Sequence, residues 1–207
     1  MVIAPKDLKI RSKKIMKDNK LSKDIDLLFE IGSLRFVNRN WKQYLGLDVA
    51  NLAEHHFRVV WIALVLAKYE NAKNTDKIVK MALLHDLPES RTGDLNKVQK
   101  KYVERFENKS IKDILKNSVL EEELIKLWQE YEKLGSIESK IVKDADRLDI
   151  DFEMREQKIR GFKFPEKWDT SREKISLNQH YTKTAKKIWK LLQKSDPHHW
   201  HLEAGSI

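Results

Sequence analysis

Ala82-Leu83-Leu84-His85-Asp86-Leu87-Pro88-Glu89 is an apolar helical run that ends in two adjacent polar residues, with a carboxylic acid three positions further on. Pro88 lacks an N–H and disfavours helical geometry at Leu87, so the run must stop there. Neighbouring residues inside a helix point about 100° apart, so His85 and Asp86 can reach one point only near such an end. Burying an ionised Asp beside a His is costly unless a charge compensates it. A divalent cation does so economically, because it accepts imidazole nitrogen and carboxylate oxygen together.

The surroundings are helical. Lys, Glu, Leu and Ile dominate, the 207 residues include only 6 Gly and 4 Pro, and no alternating apolar–polar run reads as a strand. The fold class is therefore all-α, and 41% hydrophobic content is enough for one domain with a core. Helices are expected over 22–36 with Ser22 as N-cap and Ile25, Leu28, Phe29 and Leu34 at helical spacing, over 50–70 through the core, and over 75–87. Residues 36–46 read as loop or irregular helix and 96–117 as a basic helix. Ser118 and Glu121 form a capping box for a helix to Leu134, with Gly135 as its stop and Ser136 capping the next. That helix aligns Ile141, Ala145, Leu148 and Phe152. A loop over 161–171 and a last helix over 172–194 complete a domain spanning 1–195. Residues 196–207, with His198, His199 and His201, read as a frayed tail or an expression remnant without function.

Composition excludes several classes. With no cysteine there are no disulfides, thiolate nucleophiles or thiolate metal sites. Met1–Lys17 lacks a signal-peptide core, and the apolar run Val59–Ala67 is too short for a span, so the expected location is cytoplasmic, without a membrane partner. The net charge of +9 is spread along the chain. It reads as a lysine-coated surface that favours a small anion rather than as a nucleic-acid site.

Two more segments carry ligating residues. His55 opens the most apolar stretch, on a face with Val59 and Ala63, while His56 shares an equally apolar face with Val60 and Leu64, so periodicity does not choose between them. In Lys143-Asp144-Ala145-Asp146-Arg147-Leu148-Asp149, Asp146 and Asp149 sit at the edge of the core stripe and Asp144 reads as a solvated carboxylate. Arg58, one turn after His55, reads as facing the site or as a surface ion pair.

The order His, about thirty residues, His-Asp, about sixty residues, Asp resembles the HD superfamily of metal-dependent phosphohydrolases, from about Leu34 to Asp149. The resemblance implies a single HD-type helical bundle and favours His55, His85, Asp86 and Asp146 as ligands of one divalent ion per chain (Mn, Co, Ni, Fe, Zn or Mg). Glu54-His55, His85-Asp86-Leu87-Pro88-Glu89 and Thr92-Gly93-Asp94 look like the 5′-deoxynucleotidase branch, which releases phosphate from deoxynucleoside monophosphates. It implies Glu89 and Asp94 as acid–base residues and an Arg and a Trp ahead of the first His as substrate contacts, here Arg35 or Arg39, and Trp41. Trp41 reads equally as a core aromatic, and Asp94 as a turn residue. Relatives of this kind are commonly dimers, which implies a homodimer with Trp168 or the N-terminal helix at its interface. Other members of the superfamily cleave phosphodiesters or alarmones; the latter usually carry Glu-Asp two residues beyond the His-Asp pair, where this chain has Glu89-Ser90. A basic nucleic-acid-binding protein without catalysis is the third alternative.

Overall fold

A computed structural model describes residues 19–205. Among them the regular structure is helical, and the one β-type contact is an isolated bridge between Asn38 and Asn51. The expectations for Met1–Lys17 lie outside the described residues.

Helix α1 (Asn19–Ser33) leads through a 3-10 turn (Leu34–Phe36) to the short α2 (Lys42–Leu45). Helix α3 (Leu52–Tyr69) starts at a reciprocal cap. Glu54 N–H donates to Asn51 Oδ1 at 3.0 Å, and Asn51 N–H donates to Glu54 Oε2 at 2.8 Å. From there Leu52, Val59, Ala63 and Leu66 are fully buried, Leu52, Val59 and Leu66 each contributing about 1.5–3 kcal/mol of apolar burial. Helix α3 packs on α4 (Thr75–Leu84) and on α8 (Ile137–Ile159), so all three supply one core with Ile78, Met81, Ile141, Val142, Ala145 and Leu148. A second cluster, around Leu34, Leu52, Leu84, Leu87 and Ile111, ties this layer to α6 (Glu107–Leu115) and α7 (Glu121–Lys133). No described helix is long and apolar enough to cross a membrane.

Several boundaries differ from those expected. Ser22 lies inside α1, and Leu27 and Leu34 are buried while Ile25, Leu28 and Phe29 are exposed. The 96–117 stretch is helical only as a 3-10 turn (Gln99–Lys101) and α6. Ser118 accepts from Leu120 N–H and donates to Asp24, while Glu121 accepts from Asn117 N–H, so the box is offset rather than reciprocal. Leu134, not Gly135, takes the left-handed stop of α7 at φ 49°. The 161–171 stretch contains a 3-10 turn (Phe164–Trp168) and the start of α9 (Asp169–Gln179). The last expected helix is two, α9 and α10 (Lys183–Leu192), broken at His180. A single turn, α11 (His199–Leu202), closes the chain.

Asp144 explains the break. Far from being solvated, it is fully buried and accepts from Tyr181 N–H at 2.9 Å, Thr182 N–H at 2.8 Å and Thr182 Oγ1–H at 2.8 Å. Thr182 in turn caps α10 by accepting from Ala185 N–H. One buried carboxylate thus satisfies the donors at the start of α10, an end-effect worth about 1–2 kcal/mol that periodicity does not reveal.

Candidate metal centre

Helix α4 ends at Leu84, and the chain turns through His85-Asp86-Leu87-Pro88 into α5 (Glu89–Thr92). Leu87 N–H bonds to Leu84 C=O and Glu89 N–H to Asp86 C=O, so the turn keeps its backbone bonds while leaving the helical screw. The two adjacent side chains can therefore converge, with His85 Nε2 3.3 Å from Asp86 Oδ2. His55, from the first turn of α3, places Nε2 3.1 Å from His85 Nε2, 3.4 Å from Asp86 Oδ2 and 3.5 Å from Asp146 Oδ1 on α8. One ligating atom from each of the four lies within 4.8 Å of the others.

The donor set fits a cation. His85 Nδ1 faces the Ala82 carbonyl at 2.8 Å, and a carbonyl can only accept, so the proton sits on Nδ1. His55 Nδ1 faces the Asp149 carboxylate at 2.6 Å, with the same consequence. Two neutral imidazoles held this way turn their Nε2 lone pairs toward each other and toward two carboxylates. Such a cluster is repulsive unless positive charge stands in the middle. Burial alone would lower the pKa of His55, but the bonds to Asp149 and Asp86 raise it above its ordinary value. Burial pushes the Asp86 and Asp146 carboxyls up, and their polar neighbours (the His85 and His55 rings for Asp86, the Lys143 ammonium foremost for Asp146) outweigh it and hold both below the usual range. His56 stays outside. It is buried against the His85 ring at 4.6 Å, and burial foremost drives its pKa well down.

Three of the four, His85, Asp86 and Asp146, line a polar cavity of about 290 Å³, and the fully buried His55 lies behind them. Glu89 lines it, 6% exposed, accepting from Arg105 Nη1–H at 2.8 Å through one oxygen while the other has no partner. Burial, then the charges of Asp86 and Asp94, push its carboxyl up to about 10. Gly93, at φ 73°, lets the chain double back after α5 where a side chain would be strained. Asp94 is thereby set against Arg39 Nη1 at 3.0 Å and against Asn40, whose backbone N–H donates at 3.2 Å and whose side-chain amide donates at 2.5 Å.

Of the two candidate arginines, Arg39 stands at the centre, 3.6 Å from Asp86, with its Nε unpartnered in the interior. Arg35 is exposed, lies over the Phe36 ring and lines a separate cleft with Phe57 and Trp61. Trp41 is 4% exposed and packs against Trp168, with the Arg39 guanidinium over its ring at 5.2 Å. It has no free face for a base. Trp168, expected at an interface, is half-buried and packs against Trp41.

Three cations of the cavity escaped the sequence reading. Lys143 donates to Asp146 at 2.8 Å and to Tyr131 Oη at 3.3 Å, and its place one turn before Asp146 was the available signal. Lys100 and Arg105 come from the irregular stretch, where no period marks an inward side chain. Asp149 and Arg58 do not coordinate from the cavity; they stand behind His55.

Fold and centre together define an all-helical protein with a buried His₂Asp₂ candidate metal site. The HD domain family matches residues 31–195, and the chain belongs to that family. The human protein named 5′-deoxynucleotidase HDDC2 is 31% identical over 126 residues, covering 58% of this chain and 61% of the human one. Its Dictyostelium discoideum namesake is 31% identical over 176 residues, 79% of this chain and 89% of that protein. The chain thus spans about three fifths of the mammalian relatives it matches. A conserved hypothetical protein from Pyrococcus furiosus superposes with a TM-score of 0.67 at 25% identity, over 82% of this chain and 97% of its own.

Proposed function

We propose that the chain is a divalent-metal-dependent phosphomonoesterase that releases phosphate from deoxynucleoside 5′-monophosphates. The observation that carries the metal part is the pair of opposed Nε2 atoms, 3.1 Å apart between two carboxylates. The relatives named 5′-deoxynucleotidase support the substrate class.

Charge makes the ion necessary. Five carboxylates (Asp86, Asp94, Glu107, Glu132, Asp146) and the protonated Glu89 line the cavity against four cations (Arg39, Lys100, Arg105, Lys143). A phosphate dianion is repelled by that balance unless further positive charge is present. A divalent ion held by His55, His85, Asp86 and Asp146 supplies that charge, polarises the phosphate and lowers the pKa of water.

The chain's own residues do the rest. Arg39 offers its guanidinium to phosphate oxygens, braced from beneath by Trp41 and aimed by Asp94. Lys143 and Arg105 approach from the other walls. Hydrolysis adds water across the P–O5′ bond. The water oxygen goes to phosphorus, the bond to O5′ breaks, and O5′ takes the proton that Glu89 holds at neutral pH; of the two water protons, one stays on the released phosphate and the other restores Glu89.

A panel of nucleotides, assayed for phosphate release with metal-free protein reloaded with each divalent ion in turn, tests this reading. Deoxynucleoside monophosphates should be hydrolysed only in the reloaded samples, faster than ribonucleotides. Cleavage of phosphodiesters with inert monophosphates would overturn it in favour of a diesterase.

A further inference from the structure

We infer that Asp149, locked in place by Arg58, is a positioning residue that fixes which nitrogen of His55 faces the centre. An imidazole has two tautomers and two ring orientations, and only one combination presents the Nε2 lone pair to Asp86, Asp146 and His85. Asp149 selects it by accepting the Nδ1 proton at 2.6 Å. A carboxylate in this place also makes the ring a stronger donor through its other nitrogen.

Asp149 is itself held. It is 1% exposed, and its other oxygen accepts from Arg58 Nε–H at 2.7 Å. The rest of the Arg58 fork is occupied by Glu153 at 2.9 Å and Glu156 at 2.6 Å. Arg58 and His55 stand one turn apart on α3; Asp149, Glu153 and Glu156 follow one face of α8, one turn beyond Asp146. The network therefore clamps together the two helices that supply His55 and Asp146, at the level of those residues. A guanidinium held by three carboxylates has no freedom to follow a shifting Asp149, so the direction of the His55 ring is set before any ligand arrives.

The proposal rests on His55 facing a cation, and not on the nucleotide reading. Its first arm is read on metal-free protein: ¹⁵N-histidine correlation spectra report which nitrogen of the neutral His55 ring carries the proton. Wild type should show it on Nδ1. Asp149→Leu should lose that preference and bind zinc alone, in competition with a chelator, about 10–100-fold more weakly. Asp149→Asn keeps an accepting carbonyl and should fall between the two, which a mere packing role does not require. The inference is overturned by a wild-type proton on Nε2, by unchanged zinc affinity in Asp149→Leu, or by an Asn variant no better than the Leu one. If Asp149→Leu fails to fold by circular dichroism, Arg58→Gln replaces it. Weakened zinc binding in that variant upholds the clamp, and wild-type affinity overturns it.

Discussion

Replacing Glu89 by alanine should leave the bound ion in place and lower kcat by about 10²–10⁴-fold, the usual contribution of a positioned proton donor. Glu89 is no part of the four-residue cluster, so metal content measured on the variant should equal that of wild type. Its environment is that of an acid rather than a base. Burial and two neighbouring carboxylates outweigh Arg105 and Arg39 and hold its carboxyl up to about 10. A group raised in this way keeps its proton through neutral pH and loses it on the alkaline side, so the alkaline limb of the wild-type pH–rate profile belongs to Glu89. Positive charge beside Asp86 offsets part of the repulsion and brings that limb below 10. The limb should vanish in Glu89→Ala, and Glu89→Gln, which keeps the shape and loses the titrating proton, should lose it too. A variant that turns over at the wild-type rate assigns the proton transfer elsewhere.

Asp86→Ala should abolish turnover by emptying the centre. Asp86 approaches both histidines and Arg39, at 3.3–3.6 Å, and so joins the arginine side of the cavity to the ligand cluster. Thermal unfolding gives a readout independent of activity. An ion that binds only the folded chain stabilises it by about 2.7 kcal/mol at one hundred times its dissociation constant. Wild type should gain that increment on addition of zinc or manganese and lose it to a chelator, while Asp86→Ala should do neither. Equal melting shifts in the two proteins would place the bound ion at some other point of the chain.

The helical class and the run of ligating residues were legible because both are local. Leu52–Tyr69 announces itself through its nearly unbroken apolar content, and Pro88 marks where His85 and Asp86 can converge. Non-local features were hidden. Asp144 looks like any helix-surface acid until the start of α10, nearly forty residues later, is brought over it. Asp149 and Asp146 lie on the same edge of one stripe, and only the opposing helix α3 decides that one reaches the cavity while the other reaches the back of the His55 ring. Arg35 and Arg39 were equivalent in sequence. A 3-10 turn and the Asn38–Asn51 bridge separate them, sending Arg35 to the surface and Arg39 inward. The overlong expectation for 96–117 has the same root, since charge and helix propensity alone do not show where a chain must bend to bring Arg105 over Glu89.

The most direct measurement is an anomalous-difference map from crystals of the protein soaked in zinc. The account expects one strong peak per chain between α3, α4 and α8, about 2.0–2.2 Å from His55 Nε2, His85 Nε2 and an oxygen each of Asp86 and Asp146. Density only at the exposed His198–His201 pair of the tail, or no peak among the four buried side chains, would contradict it.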